Sequence, residues 1–196
     1  MDKLTVESLG VKGTWREIAN AASTTISKEA GTKEPSSSWK RRMLIAEHSP
    51  IRQLLIKWKW RGLKYFVSTH FVRHWLGIVH WISTQRDDRT TTVNQEHISR
   101  NDAPQGAPVT HECEANAQAI INISRKRLCN CASKETREAW RLFLDETVKP
   151  NEPELYTCCV KECLYRGFCP EFTTCGYYKT EAYKNELIEY RKGINE

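Results

Sequence analysis

Between residues 52 and 61 the chain alternates, with Leu54, Ile56, Trp58 and Trp60 on one side and Leu55, Lys57, Lys59 and Arg61 on the other. A period of two belongs to a half-buried strand, so the segment predicts a strand with one apolar and one mostly basic face. Gly62 then turns the chain. Residues 65–82 carry Phe71, Trp75, Ile78, Val79 and Ile82 at helical spacings, predicting helix at the start and less regular structure towards the end. Upstream, residues 7–21 predict a short helix and residues 23–38 a polar, turn-rich loop. Ser38 is placed to cap a helix from Trp39 to about Glu47, which His48-Ser49-Pro50 breaks, because proline disfavours helix in the residue before it. Residues 87–110 are polar, with two prolines and one glycine, and read as a long loop of the functional or mobile kind. Residues 112–144 contain no Pro or Gly and are rich in helix formers, predicting helix in one or two pieces up to Pro150 and Pro153. Tyr183, Leu187, Ile188 and Tyr190 mark a short amphipathic helix over residues 181–191.

Composition fits one globular domain over residues 1–196. No apolar run approaches the roughly 20 residues that span a bilayer, so a membrane protein is not expected. Met1-Asp2-Lys3-Leu4 lacks the basic stretch and apolar core of a secretory signal, which predicts a cytoplasmic protein without disulfides. The net charge of +6 is unevenly spread, with twelve Lys/Arg against four Asp/Glu from Lys40 to Arg100. Interleaved with Trp58, Trp60, Trp75 and Trp81, this excess suits a nucleic acid or a phosphorylated small molecule, or a solvated basic surface over an aromatic core.

Arg73-His74, followed by Ser83-Thr84-Gln85-Arg86, offers fixed cations, a hydroxyl and an amide. Gathered at one turn, such groups hold phosphate through charge-assisted bonds and orient a ring through neutral ones. The alternative is ordinary surface cations beside a half-buried histidine. All eight cysteines lie in the second half, and Cys158, Cys159, Cys163, Cys169 and Cys175 mark a Cys-rich tail over residues 158–178. No Cys-x-x-Cys pair occurs, so no metal ligands are assigned, although a tetrahedral zinc on the tail, with His111 and Cys113 more distant, stands as a competing site. His111-Glu112-Cys113-Glu114 reads as a helix start with acidic charge near its N-terminus.

Arg73-His74-Trp75, seven residues, then Ser83 resembles the Arg-His-Arg, seven residues, Ser signature of the flavin-dependent thymidylate synthases. His48-Ser49-Pro50 looks like that family's His-x-Ser/Thr-Pro element. Asn116-Ala117-Gln118 through Asn122 to Arg127 is similar to its Asn-Ala-Arg, three residues, Asn, four residues, Arg segment. The stretch from Arg127 to Arg137 resembles the helix that follows in the family, and Cys163 to Cys169 a tail of some bacterial members. The resemblance spans about residues 45–86 and 116–169. It implies an α+β fold with a twisted antiparallel sheet packed with helices, assembled as a homotetramer whose flavin sites are shared between subunits. It implies reductive methylation of dUMP to dTMP, with FAD as cofactor, methylenetetrahydrofolate as carbon donor and NADPH as reductant. Carried over by position, Ser49, Arg73, His74, Asn116 and Asn122 would contact flavin. His70, Arg73, Ser83, Gln85, Arg86 and Arg127 would contact dUMP, and Arg127 would be catalytic by stabilising negative charge on the pyrimidine. The chain departs from the family at Trp75, where the signature has its third Arg, at Trp81, where it has Glu, at Arg52, where an acid is expected, and at Gln85, His70 and Gln118. It also lacks a counterpart of the family's Ala-Arg, Leu-Pro helix between Arg86 and Asn116. The alternatives are a related C5-pyrimidine-modifying enzyme, or a scaffold without catalysis whose basic strand face and tryptophans meet nucleic acid.

Overall fold

A computed structural model describes residues 3–86, 89, 99, 101–192 and 194. Strands β1 (Thr5–Lys12), β2 (Leu55–Lys64), β3 (Ile78–Ile82) and β4 (Pro108–Asn116) form an antiparallel sheet in the order β1-β2-β4-β3. Helices α1 (Trp15–Thr24), α2 (Ser37–Ile45) and α3 (Tyr65–Phe71) belong to the first half. In the second half α4 (Ala117–Arg127) and α5 (Lys134–Phe143) are followed by a π turn over Leu144–Val148. Short helices α6 (Lys149–Asn151), α7 (Pro153–Cys158) and α8 (Glu162–Arg166) then lead to α9 (Glu181–Arg191). This is the expected α+β class. No helix among the described residues is long and apolar enough to cross a membrane.

The alternation of β2 does what its period dictates. Ile56, Trp58 and Trp60 have no exposed surface. Trp58 stacks on Phe143 at 3.9 Å between ring centroids and Trp60 on Phe71 at 4.7 Å, joining β2 to α5 and α3. Such ring pairs add about 0.5–1.5 kcal/mol each beyond the area they bury. The indole of Trp60 donates to the Ala139 carbonyl at 3.2 Å and that of Trp140 to the Ser124 hydroxyl at 2.9 Å, so their polar edges enter the core satisfied. On the other face Glu112 lies between Lys57 and Lys59, 2.7 and 2.8 Å away, and Glu114 meets Lys12 at 2.7 Å. The basic face of β2 is therefore matched by carboxylates of β4.

Several sequence expectations are corrected. Residues 5–12 are an edge strand rather than the beginning of a helix over 7–21; the helix starts at Trp15, behind a capping box in which Thr14 and Glu17 bond each other's backbone N–H. Helix α2 is capped by Ser36, not Ser38. The end of the 65–82 segment is strand β3, and Arg73-His74 sits in the turn after α3, not on a helix. Residues 108–116 are strand β4, where both the end of the 87–110 loop and the start of the 112–144 helix were expected. Val109, His111, Cys113 and Ala115 all point into the core, and this period of two overrides the helix-forming composition. Much of the remaining 87–110 loop lies outside the described residues. The predicted terminal helix coincides with α9.

Glu152 illustrates an ionisable group in this core. It is 9% exposed and accepts the Trp15 indole N–H at 2.8 Å. Burial raises its pKa, opposed by the Trp15 bond and Lys40. A raised carboxyl pKa means that the folded state holds the proton more tightly than the unfolded chain. Its contribution to stability is thus present at acid pH and lost as pH rises through the folded value. Glu152→Gln keeps an acceptor for Trp15 and removes the ionisation. Its melting temperature is expected to gain on the parent's between acid and neutral pH, and an unchanged gap in thermal melts at the two pH values would contradict this.

Candidate functional site

The site is built where the turn after α3, the start of β3 and the last turn of α4 meet. Helix α3 ends at Phe71, whose carbonyl accepts the His74 N–H at 2.9 Å. Gly77 then takes φ +75, and a Cβ there would lie 2.6 Å from Asn116 Nδ2. The Gly77 carbonyl accepts the Asn116 N–H at 2.9 Å, tying this turn to the junction of β4 and α4. Only glycine combines that backbone conformation with that approach.

Arg127 reaches across from α4. Its Nε donates to His74 Nε2 at 2.9 Å and its Nη2 to the His70 carbonyl at 2.6 Å. Because the guanidinium can only donate, His74 Nε2 is an acceptor and the imidazole carries its proton on Nδ1. Burial, then the neighbouring Arg127 and His80, push the His74 pKa down to about 4, which keeps the ring neutral. The His70 Nδ1 lies 2.8 Å from the Thr136 hydroxyl, which itself lies 2.7 Å from that of Ser133. The His70 pKa is lowered by burial and by the charges of Arg127 and Arg73. Arg127 is likewise lowered by burial and by Arg73. Two guanidiniums thus lie close enough to act on one another, and among the described residues neither forms a salt bridge. The result is a cationic corner anchored by neutral acceptors, arranged to receive an anion.

A second polar group is organised by Glu47, which has φ 52 at the end of α2. It pairs with Arg125 and accepts from Gln118 Nε2 at 2.5 Å. Asn122 Oδ1 accepts from Gln118 at 3.3 Å and from Arg125 at 3.1 Å. Asn116 Oδ1 caps α4 by accepting the Ala119 N–H at 2.9 Å. Each asparagine therefore has its oxygen engaged and its amide N–H groups left to offer. Ser49 opens a 3-10 turn and lines a cleft of about 750 Å³ with His48, Pro50, Trp39 and Met43. A cleft of about 740 Å³ lies between α2, α7 and α9, and neither of these two clefts includes Arg73, His74 or Arg127.

Of the sequence-derived residues, the structure joins His70, Arg73, His74 and Arg127. It does not gather Ser83, Gln85 and Arg86 with them at one turn. Strand β3 intervenes, and its five residues extend about 17 Å at roughly 3.3 Å per residue. Ser83 instead bonds Thr110, its N–H to the carbonyl at 2.9 Å and its hydroxyl to the N–H at 3.0 Å. Around the same edge strand, Trp75, Leu76, Val79 and Trp81 are exposed, Trp75 by 72%. By contrast Trp58 and Trp60 are sealed in the core and cannot stack on nucleic-acid bases. The sequence reading assigned no role to Glu47, Gly77, His80 or Thr136. His80 alone carried a signal, as the central residue of Ile78-Val79-His80-Trp81-Ile82 on an alternating strand.

No family model matches the chain, and no curated protein matches it. Solved structures do. Thymidylate synthase X of Helicobacter pylori, crystallised with FAD and dUMP, is similar with a TM-score of 0.63 at 13% identity, over 80% of this chain and 99% of that one. The UMP/dUMP methylase PolB of Streptomyces cacaoi, bound with 5-Br dUMP, also has a TM-score of 0.63, at 12% identity over 85% of this chain and 96% of its own. The chain has the fold of these flavin-dependent thymidylate synthase structures.

Proposed function

We propose that the protein is a flavin-dependent enzyme modifying C5 of a deoxyuridine nucleotide, with reductive methylation of dUMP to dTMP as its reaction. The observation that carries this reading is the cationic corner. Arg127 is half-buried, held by a neutral imidazole and a backbone carbonyl, with Arg73 nearby and no carboxylate paired to either among the described residues. That arrangement fits a ligand carrying phosphate and a ring that becomes negative during reaction. The similar structures bound with FAD and dUMP, or with 5-Br dUMP, support the same choice of ligands.

In this reading FAD, when bound, supplies the hydride, with NADPH as reductant and methylenetetrahydrofolate as carbon donor. The protein binds, aligns and polarises. Arg127 has five N–H donors, of which the contacts to His74 and His70 use two. The other three are available to pyrimidine carbonyl oxygens, where they would stabilise developing negative charge. Neutral His74 keeps the guanidinium oriented without offsetting its charge. Arg73 would hold phosphate, while Asn116 and Asn122 would donate to flavin oxygens, with Ser49 at the neighbouring cleft. Ser83, Gln85 and Arg86 would reach dUMP from another copy of the chain, since one copy keeps them a strand's length from Arg127. The exposed apolar residues around β3 supply a face for such assembly, which we take to be a homotetramer.

Binding tests this directly. Protein titrated with FAD is expected to quench flavin fluorescence, and dUMP is expected to perturb the bound flavin. A colourless protein indifferent to both would remove the proposal. Growth of a thymidine auxotroph expressing the chain then tests for the complete reaction.

A further inference from the structure

We propose that His80, His111 and Cys113 form a zinc site between β3 and β4, separate from the residues assigned to flavin and nucleotide. His80 stands opposite Cys113 in the strand register, and His111 precedes Cys113 by two residues on the same face. The sheet alone therefore brings three ligand-bearing side chains together. His80 Nδ1 is 3.0 Å from His111 Nε2 and 3.4 Å from Cys113 Sγ, and the three ligand atoms lie within 4.8 Å of one another.

Hydrogen bonding within the protein cannot satisfy this group. His80 Nε2 is 2.7 Å from the His74 carbonyl, which only accepts, so Nε2 carries the proton and Nδ1 presents the one lone pair of the ring. Both His111 Nε2 and the Cys113 thiol face that lone pair, two donors for one acceptor. His111 is fully buried and its Nδ1 has no hydrogen-bond partner. A metal ion removes the competition at His80 Nδ1 by replacing the competing protons, while His111 Nδ1 becomes an N–H that no described residue accepts. Zinc at about 2.0–2.1 Å from nitrogen and 2.3 Å from sulfur implies tetrahedral edges of about 3.3 Å and 3.6 Å. The two separations from His80 Nδ1, 3.0 and 3.4 Å, are within a few tenths of an ångström of these, and the third atom pair lies within 4.8 Å. The His80 bond to a backbone carbonyl is also the outer contact that orients a metal-bound imidazole. Two imidazoles and a thiolate select a borderline-soft ion over magnesium or calcium.

Binding is balanced by loss of one proton. Cys113 gives up its thiol proton to solvent and binds as thiolate, while the His111 proton moves from Nε2 to Nδ1 without net change. The fourth position falls to water, entering beside half-buried His80. Among the described residues this is the group of three His, Cys, Asp or Glu side chains whose ligand atoms converge to this extent.

Cobalt(II) is the probe. Full-length protein stripped with chelator and titrated with Co²⁺ is expected to take up one equivalent, with the near-ultraviolet charge-transfer band of a thiolate ligand and the intense visible bands of a tetrahedral centre. Zinc should displace it. Cys113→Ser is expected to lose the charge-transfer band, and His80→Gln to lose the tetrahedral spectrum. Cys131→Ser and Cys175→Ser, at exposed cysteines, should retain both. If Cys113→Ser does not fold, His80→Gln decides, because that residue is half-buried. A parent protein without these bands overturns the proposal. So do bands that survive both Cys113→Ser and His80→Gln, or that vanish in the Cys131 or Cys175 variants, which would place the metal on the tail. These readouts do not depend on flavin or nucleotide.

Discussion

Arg127→Ala is expected to lower nucleotide-dependent turnover by about 10²–10³-fold, the usual effect of removing a donor aimed at developing negative charge. FAD affinity should be largely retained, because the flavin contacts are assigned to Ser49, Arg73, His74, Asn116 and Asn122. The variant also loses the bonds to His74 Nε2 and the His70 carbonyl, so a positional effect must be separated from the loss of charge. Arg127→Lys does this: it keeps a cation but cannot hold both acceptors while facing a planar ring, so turnover should fall between parent and Ala. Single-turnover kinetics beside a flavin fluorescence titration provide the check. Equal turnover in Arg127→Ala and parent would remove the catalytic assignment, and a matched loss of FAD binding would make Arg127 a flavin residue.

The second large effect is expected at Glu47. Its side chain is 21% exposed and that of its partner Arg125 only 12%. Deleting the carboxylate leaves a desolvated guanidinium, already lying 3.4 Å above the Tyr165 ring, without its counter-ion. Breaking such a pair costs about 3–5 kcal/mol, and the partial exposure of Glu47 favours about 3. Glu47 also occupies the left-handed region, where a side chain costs roughly 1–2 kcal/mol. Glu47→Gly recovers part of that and Glu47→Ala none, so urea unfolding should rank the parent above Gly and Gly above Ala. An Ala variant within about 0.5 kcal/mol of the parent, the range of ordinary surface changes, would show that Arg125 is held by other contacts.

Legibility in the sequence followed how strongly each segment committed to one period. Strand β2 was readable because large apolar residues alternate with lysines, and α9 because its apolar spacing runs from a clear start to a clear end. Strand β4 was not, because of its buried positions Val109, His111, Cys113 and Ala115 only Val109 is a typical strand former, while its outward Glu112 and Glu114 suggest helix. Its strand state follows from pairing with both neighbours, information that a local window lacks. Strand β1 is a lightly buried edge, so its alternation is faint, and the Thr14 to Glu17 capping box, the signal for where the next helix starts, was not used in placing that helix over residues 7–21. At the site, ordered similarity to a known family drew attention to Arg73, His74 and Arg127, which the fold brings together. The same reading grouped Ser83 to Arg86 with them, because spacing along a chain does not distinguish a turn from an intervening strand. The proposed zinc-ligand arrangement was only partly legible for a related reason: His111 and Cys113 were named, but with the Cys-rich tail, because His80 and Cys113 are 33 residues apart and meet only through register.

The pairing of β2 with β4 joins Leu55 to Asn116, 61 positions apart, and β3 joins Ile78 to Ala115, 37 positions apart. Contacts so distant along the chain form late in folding, after closure entropy has been overcome. The bond from Arg127 to His74 depends on that same docking, since it links the helix following β4 to the turn preceding β3. During refolding, helical content should therefore return before the cationic corner is assembled, and ligand competence should be among the last properties regained.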